Sequence, residues 1–249
     1  MVKHGKSVAI SLGRRLMIEH CYFSGATQKG VLKRRISIGP LLVALSSAKA
    51  AGKKPILPLI FIKAFAIVAQ EMPALRRSYV KAPWPQFYEH AASTALMPIT
   101  RDVDGEETIM MGQFHDPAET SLAALNETTQ YLKTAPISSI RSFERALEVA
   151  RLPFPLRRIA FWIGLNFGRQ RRRHFGSFSV SPLGLNEPVY AVHPFTSLLT
   201  YGVIDMTAAQ IDITLSFDHR VYDGMTAARA LEAIERALNG PISVELDGN

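Results

Sequence analysis

Near the C-terminus, His219 and Asp223 stand four residues apart, and their types suit proton transfer. An imidazole with an unperturbed pKa of about 6.5 takes a proton from a thiol, hydroxyl or amine near neutral pH and hands it on within one cycle. The carboxylate of Asp223 would serve by geometry, fixing its turn through an arginine or by capping a helix. A third residue to follow is Ser181, which stands just before Pro182 at the end of an alternating stretch. Each also has a plainer reading. His219 is one of seven histidines and on spacing alone could simply close a strand, while a serine before a proline ordinarily starts a turn.

The elements that must position these residues are legible around them. From Gln210 to Phe217 the chain alternates strictly, with Ile211, Ile213, Leu215 and Phe217 apolar, which is the period of a half-buried strand. From Thr226 to Leu238, Ala227, Ala230, Leu231, Ile234 and Leu238 fall on one helical stripe, and Asn239-Gly240-Pro241 ends it. His219 and Asp223 are therefore expected in a short strand-to-helix turn, where a fixed backbone can present an imidazole to a cleft. Gly176 to Gly184 also alternates and runs into Pro182 and Gly184, which places Ser181 at the end of a strand.

The string from Asp218 to Gly224, Asp-His-Arg-x-x-Asp-Gly, resembles the active-site signature of the dihydrolipoyl acyltransferases, the core subunits of 2-oxoacid dehydrogenase complexes. Their wider fold family includes chloramphenicol acetyltransferase, with the looser His-x-x-x-Asp-Gly. Ser177-Phe178-Ser179-Val180-Ser181-Pro182-Leu183-Gly184 is similar to the family's second signature, Thr-Phe-Thr-Ile-Ser-x-Leu-Gly, and Leu57 to Ala64 is similar to one of its helices, Lys63 included. The resemblance implies a chloramphenicol acetyltransferase-like α/β fold, a mixed sheet flanked by helices. It implies His219 as general base, Ser181 as the oxyanion donor, and Asp223 holding the turn through an N-terminal arginine, for which Arg14 and Arg15 are the candidates. It further implies coenzyme A as the acyl-CoA substrate. A symmetric trimer is implied as well, alone or within a larger trimer-based assembly, with His219 and Ser181 of each site coming from different chains. Two departures stand out. Ser181 precedes His219 by 38 residues, fewer than is usual, and residues 135–175 read as a helical insertion.

Composition narrows the partners. A chain of 249 residues, 47% hydrophobic, can bury one large core, so residues 1–249 are expected to form one catalytic domain without lipoyl or peripheral subunit-binding domains. No covalent lipoyl attachment is then expected on this chain. The single cysteine, Cys21, excludes an internal disulfide framework and suits a reducing, cytoplasmic setting, and no secretory signal is evident. The net charge of +8 favours an anionic partner, yet no nucleic-acid module, nucleotide-binding glycine loop or metal-ligand spacing accompanies it. Acyl-CoA and an unidentified acceptor are the expected partners, with no nucleic acid and no metal.

Along the chain, a helix is expected to open near Arg14, an extended segment at Val31 to Ile38, a helix from Pro40 and a buried helix from about Pro58. Residues 81–86 read as a loop. Ala92 to Thr100 and Glu107 to Phe114 read as strands joined across Asp104-Gly105, and Asp116-Pro117-Ala118-Glu119 as a capping box opening the next helix. Ser138 to Arg151 reads as an amphipathic helix, and Pro153 and Pro155 break it. Leu156 to Phe167 is apolar on nearly every side and flanked by arginines, so either burial against a neighbouring subunit, which is favoured, or peripheral membrane contact through 156–173 fits. Val189 to Val203 is expected to add another strand or two.

These features favour a coenzyme A-dependent acyltransferase moving an acyl group between a thioester and a thiol, hydroxyl or amine acceptor. A dihydrolipoyl acyltransferase core is the near alternative, and a noncatalytic membrane-associated or scaffold protein the alternative of another class.

Overall fold

Strict alternation near the C-terminus forces a sheet to be buried on that face, and the helical stripe beyond it supplies the cover. A computed structural model describes residues 10–25, 27, 29–182 and 193–248 of the chain. The elements begin with α1 (Leu12–Ser24), β1 (Lys29–Ser37), α2 (Gly39–Ala50), α3 (Leu57–Glu71), β2 (Arg77–Val80), β3 (Gln86–Glu89), β4 (Thr94–Val103) and β5 (Glu106–His115). Then come α4 (Leu122–Thr134), α5 (Arg141–Arg151), α6 (Phe154–Asn166), α7 (Gly168–His174), β6 (Phe178–Pro182), β7 (Ser197–Asp205), β8 (Gln210–Asp218), α8 (Gly224–Asn239) and α9 (Pro241–Asp247).

Among the described residues, six strands form a mixed sheet in the order β1-β8-β7-β6-β4-β5, with β6 parallel to both β4 and β7. The short hairpin of β2 and β3 stands apart. One sheet face carries Phe178, Val180, Leu199, Tyr201, Ile213 and Leu215, all buried. Against it α3 stacks Phe65 on Phe178 at 4.2 Å and Phe61 on Tyr201 at 4.3 Å between ring centroids. The buried stripe of α8 packs beside α3 over β8 and β1. The opposite face carries Ser179, Ser181 and Leu198 and looks toward a cavity closed over by α1, α5 and α6.

Most expected elements form where the patterns place them. Asp104 and Gly105 take positive φ values of 56° and 81°, as a tight hairpin between β4 and β5 requires. The buried helix around Lys63 is α3, and the lysine keeps its charge satisfied by Glu245 at 2.7 Å and the Thr120 carbonyl at 2.8 Å.

Two local expectations are corrected. Asp116 does not cap a helix. Its φ is 44° and its carbonyl accepts from the amides of Glu119 and Thr120, so the chain turns first and α4 starts five residues later behind the Ser121 cap. Pro155 does not break a helix but occupies the first turn of α6, where its missing amide costs nothing. Within one chain, the Leu156 to Phe167 helix is covered on one side only. Phe161, Gly164 and Leu165 pack inward, while Phe154, Leu156, Ile159 and Trp162 stay at least 40% exposed. The hairpin of β2 and β3 and the helix α9 were not anticipated.

A buried ion cluster fastens α6 to α1. Glu19 is fully buried, and its two oxygens accept from Arg157 Nε at 3.2 Å and Arg158 Nε at 3.0 Å. Arg158 also lies 3.5 Å above the Tyr22 ring. Removing the carboxylate leaves a buried guanidinium unpaired, so Glu19→Ala is expected to cost about 3–5 kcal/mol in urea unfolding. Arg158→Ala, which leaves Arg157 on the carboxylate, should cost about 1–2 kcal/mol. A Glu19→Ala loss no larger than that of Arg158→Ala would show that α1 and α6 are held by apolar packing instead.

Candidate active site

The turn after β8 is built by one aspartate. Asp218 is 2% exposed; its amide donates to the Thr196 carbonyl, and its carbonyl accepts from the amides of Val221 and Tyr222. Its carboxylate takes Arg220 in a fork, Nε to Oδ1 at 2.8 Å and a terminal nitrogen to Oδ2 at 2.6 Å. Arg220 then lies 4.6 Å over the Tyr79 ring, and the Tyr222 hydroxyl meets Ser197 Oγ at 2.8 Å. The amides of Asp218, Arg220, Val221 and Tyr222 are thus tied down, and His219 is left exposed on the outside of the turn. Its ring leans on Phe217 at 5.5 Å and has no hydrogen-bond partner among the described residues.

Asp223 caps α8. Its Oδ1 accepts from the Thr226 amide at 2.8 Å, and this bond holds its carboxyl below the usual carboxylate range, with the nearby His219 as a weaker cause. The expected arginine partners lie elsewhere: Arg14 faces Glu106 at 3.7 Å, and Arg15 donates to the Ile10 carbonyl. The turn is fixed by the capping alternative.

Ser181 lies near the end of β6 and lines the cavity on the open sheet face, of about 930 Å³. Its hydroxyl has no hydrogen-bond partner among the described residues, unlike Ser179, which donates to the Leu96 carbonyl. Ser181 is in register with Thr200 and Thr200 with Thr214. Ser181 and His219 are therefore two strand spacings of about 4.8 Å and five residues of about 3.4 Å apart, roughly 20 Å in all. One chain does not bring the two together. Gly184 and the first part of the expected strand at 189–203 lie outside the described residues; the strand that forms is β7.

A neighbouring cluster escaped the sequence reading. Lys29 on β1 places Nζ 3.0 Å from His193 Nδ1 and 3.3 Å from the Phe195 carbonyl, and His193 Nε2 lies 3.2 Å from Ser216 Oγ. Arg171 of α7 is 6% exposed and donates to the carbonyls of Leu165 and Pro194. Burial first, then the charges of Arg171 and Arg220, bring Lys29 from its usual 10.5 down to about 7 against the pull of Asp218. Burial, with Lys29 and Arg171 nearby, lowers His193 to about 3. Only a partner 164 residues away reveals this cluster, and no local spacing signals it.

With the geometry in place, likenesses to known proteins can be set beside it. Residues 202–246, which span the last four residues of β7, all of β8, the His219 turn, α8 and most of α9, match the model of the family described as 2-oxoacid dehydrogenases acyltransferase (catalytic domain). The resemblance carried by the Asp-His-Arg-x-x-Asp-Gly string thus holds. No curated protein matches the chain by sequence. Among solved structures, the chain is similar to dihydrolipoamide acetyltransferase of Azotobacter vinelandii, at 16% identity, TM-score 0.61, covering 96% of this chain and 93% of that one. The roles of a serine, a histidine and the asparagine four residues beyond it were investigated there in the catalytic mechanism. It is also similar to the truncated catalytic core of a Thermoplasma acidophilum 2-oxoacid dehydrogenase multienzyme complex, at 14% identity and TM-score 0.64, covering 95% and 99%. Chloramphenicol acetyltransferase follows at 14% identity and TM-score 0.52, covering 92% and 96%. The chain has the α/β fold of these acyltransferases.

The Lys29 cluster has a measurable consequence. The folded chain holds Lys29 neutral above about pH 7, whereas the unfolded chain keeps the proton up to its usual 10.5. Unfolding then takes up a proton in that window, so the contribution of this group to stability rises with pH across it. In urea unfolding at a series of pH values, Lys29→Met should flatten the profile between pH 7 and 10 relative to the parent chain. An unchanged slope would show that Lys29 stays protonated when folded.

Proposed function

We propose that this protein is a coenzyme A-dependent acyltransferase whose active site is completed by a second copy of the chain. The observation that carries the reading is the placement of His219. It stands exposed on a braced strand-to-helix turn inside the stretch that matches the acyltransferase family, while Ser181 faces a cavity roughly 20 Å away. The likeness to enzymes in which a serine and a histidine were probed for catalysis supports these two as the working pair.

In the reaction, His219 takes the proton of the acceptor thiol, hydroxyl or amine as that atom attacks the thioester carbonyl. The carbonyl oxygen becomes an oxyanion, to which the unpartnered Ser181 hydroxyl donates a hydrogen bond. Collapse of the tetrahedral intermediate breaks the carbon–sulfur bond, and the coenzyme A thiolate leaves with the proton from His219. No acyl-enzyme forms. Asp223 positions the turn through its cap on α8. A symmetric trimer, which the signature resemblance implies, supplies the second chain, and the reducing cytoplasm suits the exposed Cys21 thiol. Dihydrolipoamide is the favoured acceptor to try first, because the catalytic-core neighbours are dihydrolipoamide and 2-oxoacid dehydrogenase proteins.

The test is release of free coenzyme A from acyl-CoA donors with and without dihydrolipoamide. His219→Ala should lower turnover by about 100 to 10,000-fold and Ser181→Ala by about 100 to 1000-fold. Co-assembling the two variants in equal amounts should restore activity at about a quarter of the sites, because those sites pair an intact histidine with an intact serine. A verified hybrid as silent as its parents would sink the shared site.

A second reading follows from α6. Its exposed Leu156, Ile159 and Trp162, with the exposed Arg169, Arg172 and Arg173 just beyond, support peripheral contact with anionic lipid. Among the described residues no helix is long and apolar enough to cross a membrane. Co-sedimentation with anionic vesicles that Leu156→Glu with Ile159→Glu abolishes would support this contact; indifference to the vesicles would remove it.

A further inference from the structure

The cavity that holds Ser181 is far larger than a two-carbon acyl group needs. Its roughly 930 Å³ lies near the top of the range of about 300–1,000 Å³ typical of small-molecule sites. Its wall beyond Ser181 is apolar and comes from four elements, with Met17 of α1, Met111 of β5, Ala146 and Val149 of α5, and Phe161 and Ile163 of α6. An acetyl group placed at Ser181 would leave most of that surface facing water, which apolar surface resists.

The same cavity is bordered by cations without acids to match. Arg141 and Arg145 of α5 and Arg173 of α7 all line it, and among the described residues none of them forms an ion pair. They press on one another. After burial, the charges of Arg173 and Arg141 are what lower Arg145, outweighing the attraction of Glu148 and Glu144. Of the acids on the cavity wall, Glu106 is engaged by Arg14 at 3.7 Å, which leaves Glu107. Three guanidiniums lining one cavity offer a seat for a phosphate group, an anion their planar donors fit in pairs.

An apolar chamber with a basic rim selects an amphiphile whose hydrocarbon is joined to a phosphate-bearing head. We propose that the cavity takes the acyl chain of a medium- or long-chain acyl-CoA, with coenzyme A phosphates on Arg141, Arg145 and Arg173. This inference rests on the acyltransferase reading, because that reading places the reacting carbonyl at Ser181. It adds a preference for chains of about eight carbons or more, set by α5 and α6.

Calorimetric titration of the intact His219→Ala chain with coenzyme A, acetyl-, octanoyl- and palmitoyl-CoA tests it without turnover. Affinity should climb with chain length by up to roughly fourfold per methylene until the chamber is full. Val149→Trp, which narrows the chamber from α5, should lower the ratio of palmitoyl- to acetyl-CoA affinity. Arg145→Glu combined with Arg173→Glu, at the rim of the cavity, should weaken all four ligands by at least tenfold and flatten the dependence on salt. Equal affinity for acetyl- and palmitoyl-CoA, or a chain-length preference that Val149→Trp leaves unchanged, overturns the proposal. So does chain-dependent binding of a palmitoyl lysophosphatidate by a protein that is blind to chain length in the coenzyme A series. Its failure is separable from that of the acyltransferase reading. Acetyl transfer with chain-blind binding removes only the chamber's role, whereas chain-dependent binding without transfer to any acceptor removes the catalytic reading and leaves the chamber.

Discussion

The hydrogen-bonded register from β6 through β7 to β8 is the constraint on which everything functional depends. It ties Ser181 to Thr200 and Thr200 to Thr214, and a sheet packed against α3 and α8 cannot fold to close the gap. Ser181 and His219 are each set on a rigid element, which is what catalytic groups need, but they are aimed at different places. In the proposed shared site, a second chain rather than a flexible loop closes the gap. Rigidity within the protomer then becomes precision between protomers, because neither residue has to search for its position.

That rigidity at the turn depends on how one buried carboxylate is shared. Asp218 is forked to Arg220 and also lies within the electrostatic reach of Arg171 and Lys29. One negative charge cannot fully stabilise three positive ones crowded around it in a partly desolvated setting. Arg220 takes the carboxylate by direct contact. Arg171, lowered only to about 10, stays charged and is satisfied in part by the Leu165 and Pro194 carbonyls. Lys29 gives way, since a lysine sheds its proton at far smaller cost than an arginine. The neutral amine then fits against the neutral His193 ring, and the strands beneath the turn are joined without a further ion pair.

What the sequence disclosed follows from the range of each signal. The β8 strand, the turn and α8 were legible because alternation, helical stripe and cap are local and stand side by side from Ile211 to Leu238. The same holds for the β4–β5 hairpin, where Asp104-Gly105 admits one tight turn. Asp116 misled because an aspartate before proline is both a cap and a turn former; only the run of β5 out to His115 decides for the turn. Arg14 and Arg15 misled because a partner for Asp223 was sought at long range when Thr226, three residues on, already held it. The Lys29 and His193 contact was invisible for the opposite reason.

The arginine-rich stretch from Arg157 to Arg173 shows why charge counted along a chain does not translate into charge on a surface. Helical geometry sends Arg157 and Arg158 to the buried Glu19, where they neutralise a carboxylate and clamp α6 onto α1. The next helix turns Arg171 inward near the His219 turn and Arg173 toward the cavity that holds Ser181. Arg141 and Arg145, outside that stretch, complete the cationic rim with Arg173. A run that reads as one basic patch is divided into a structural clamp, a buried brace and a site for an anion. The net charge of +8 therefore does not describe a uniform field. The part of it that acts on a ligand is the part without acids, and that part lies at the edge of an apolar chamber, where displaced water makes each charge count for more.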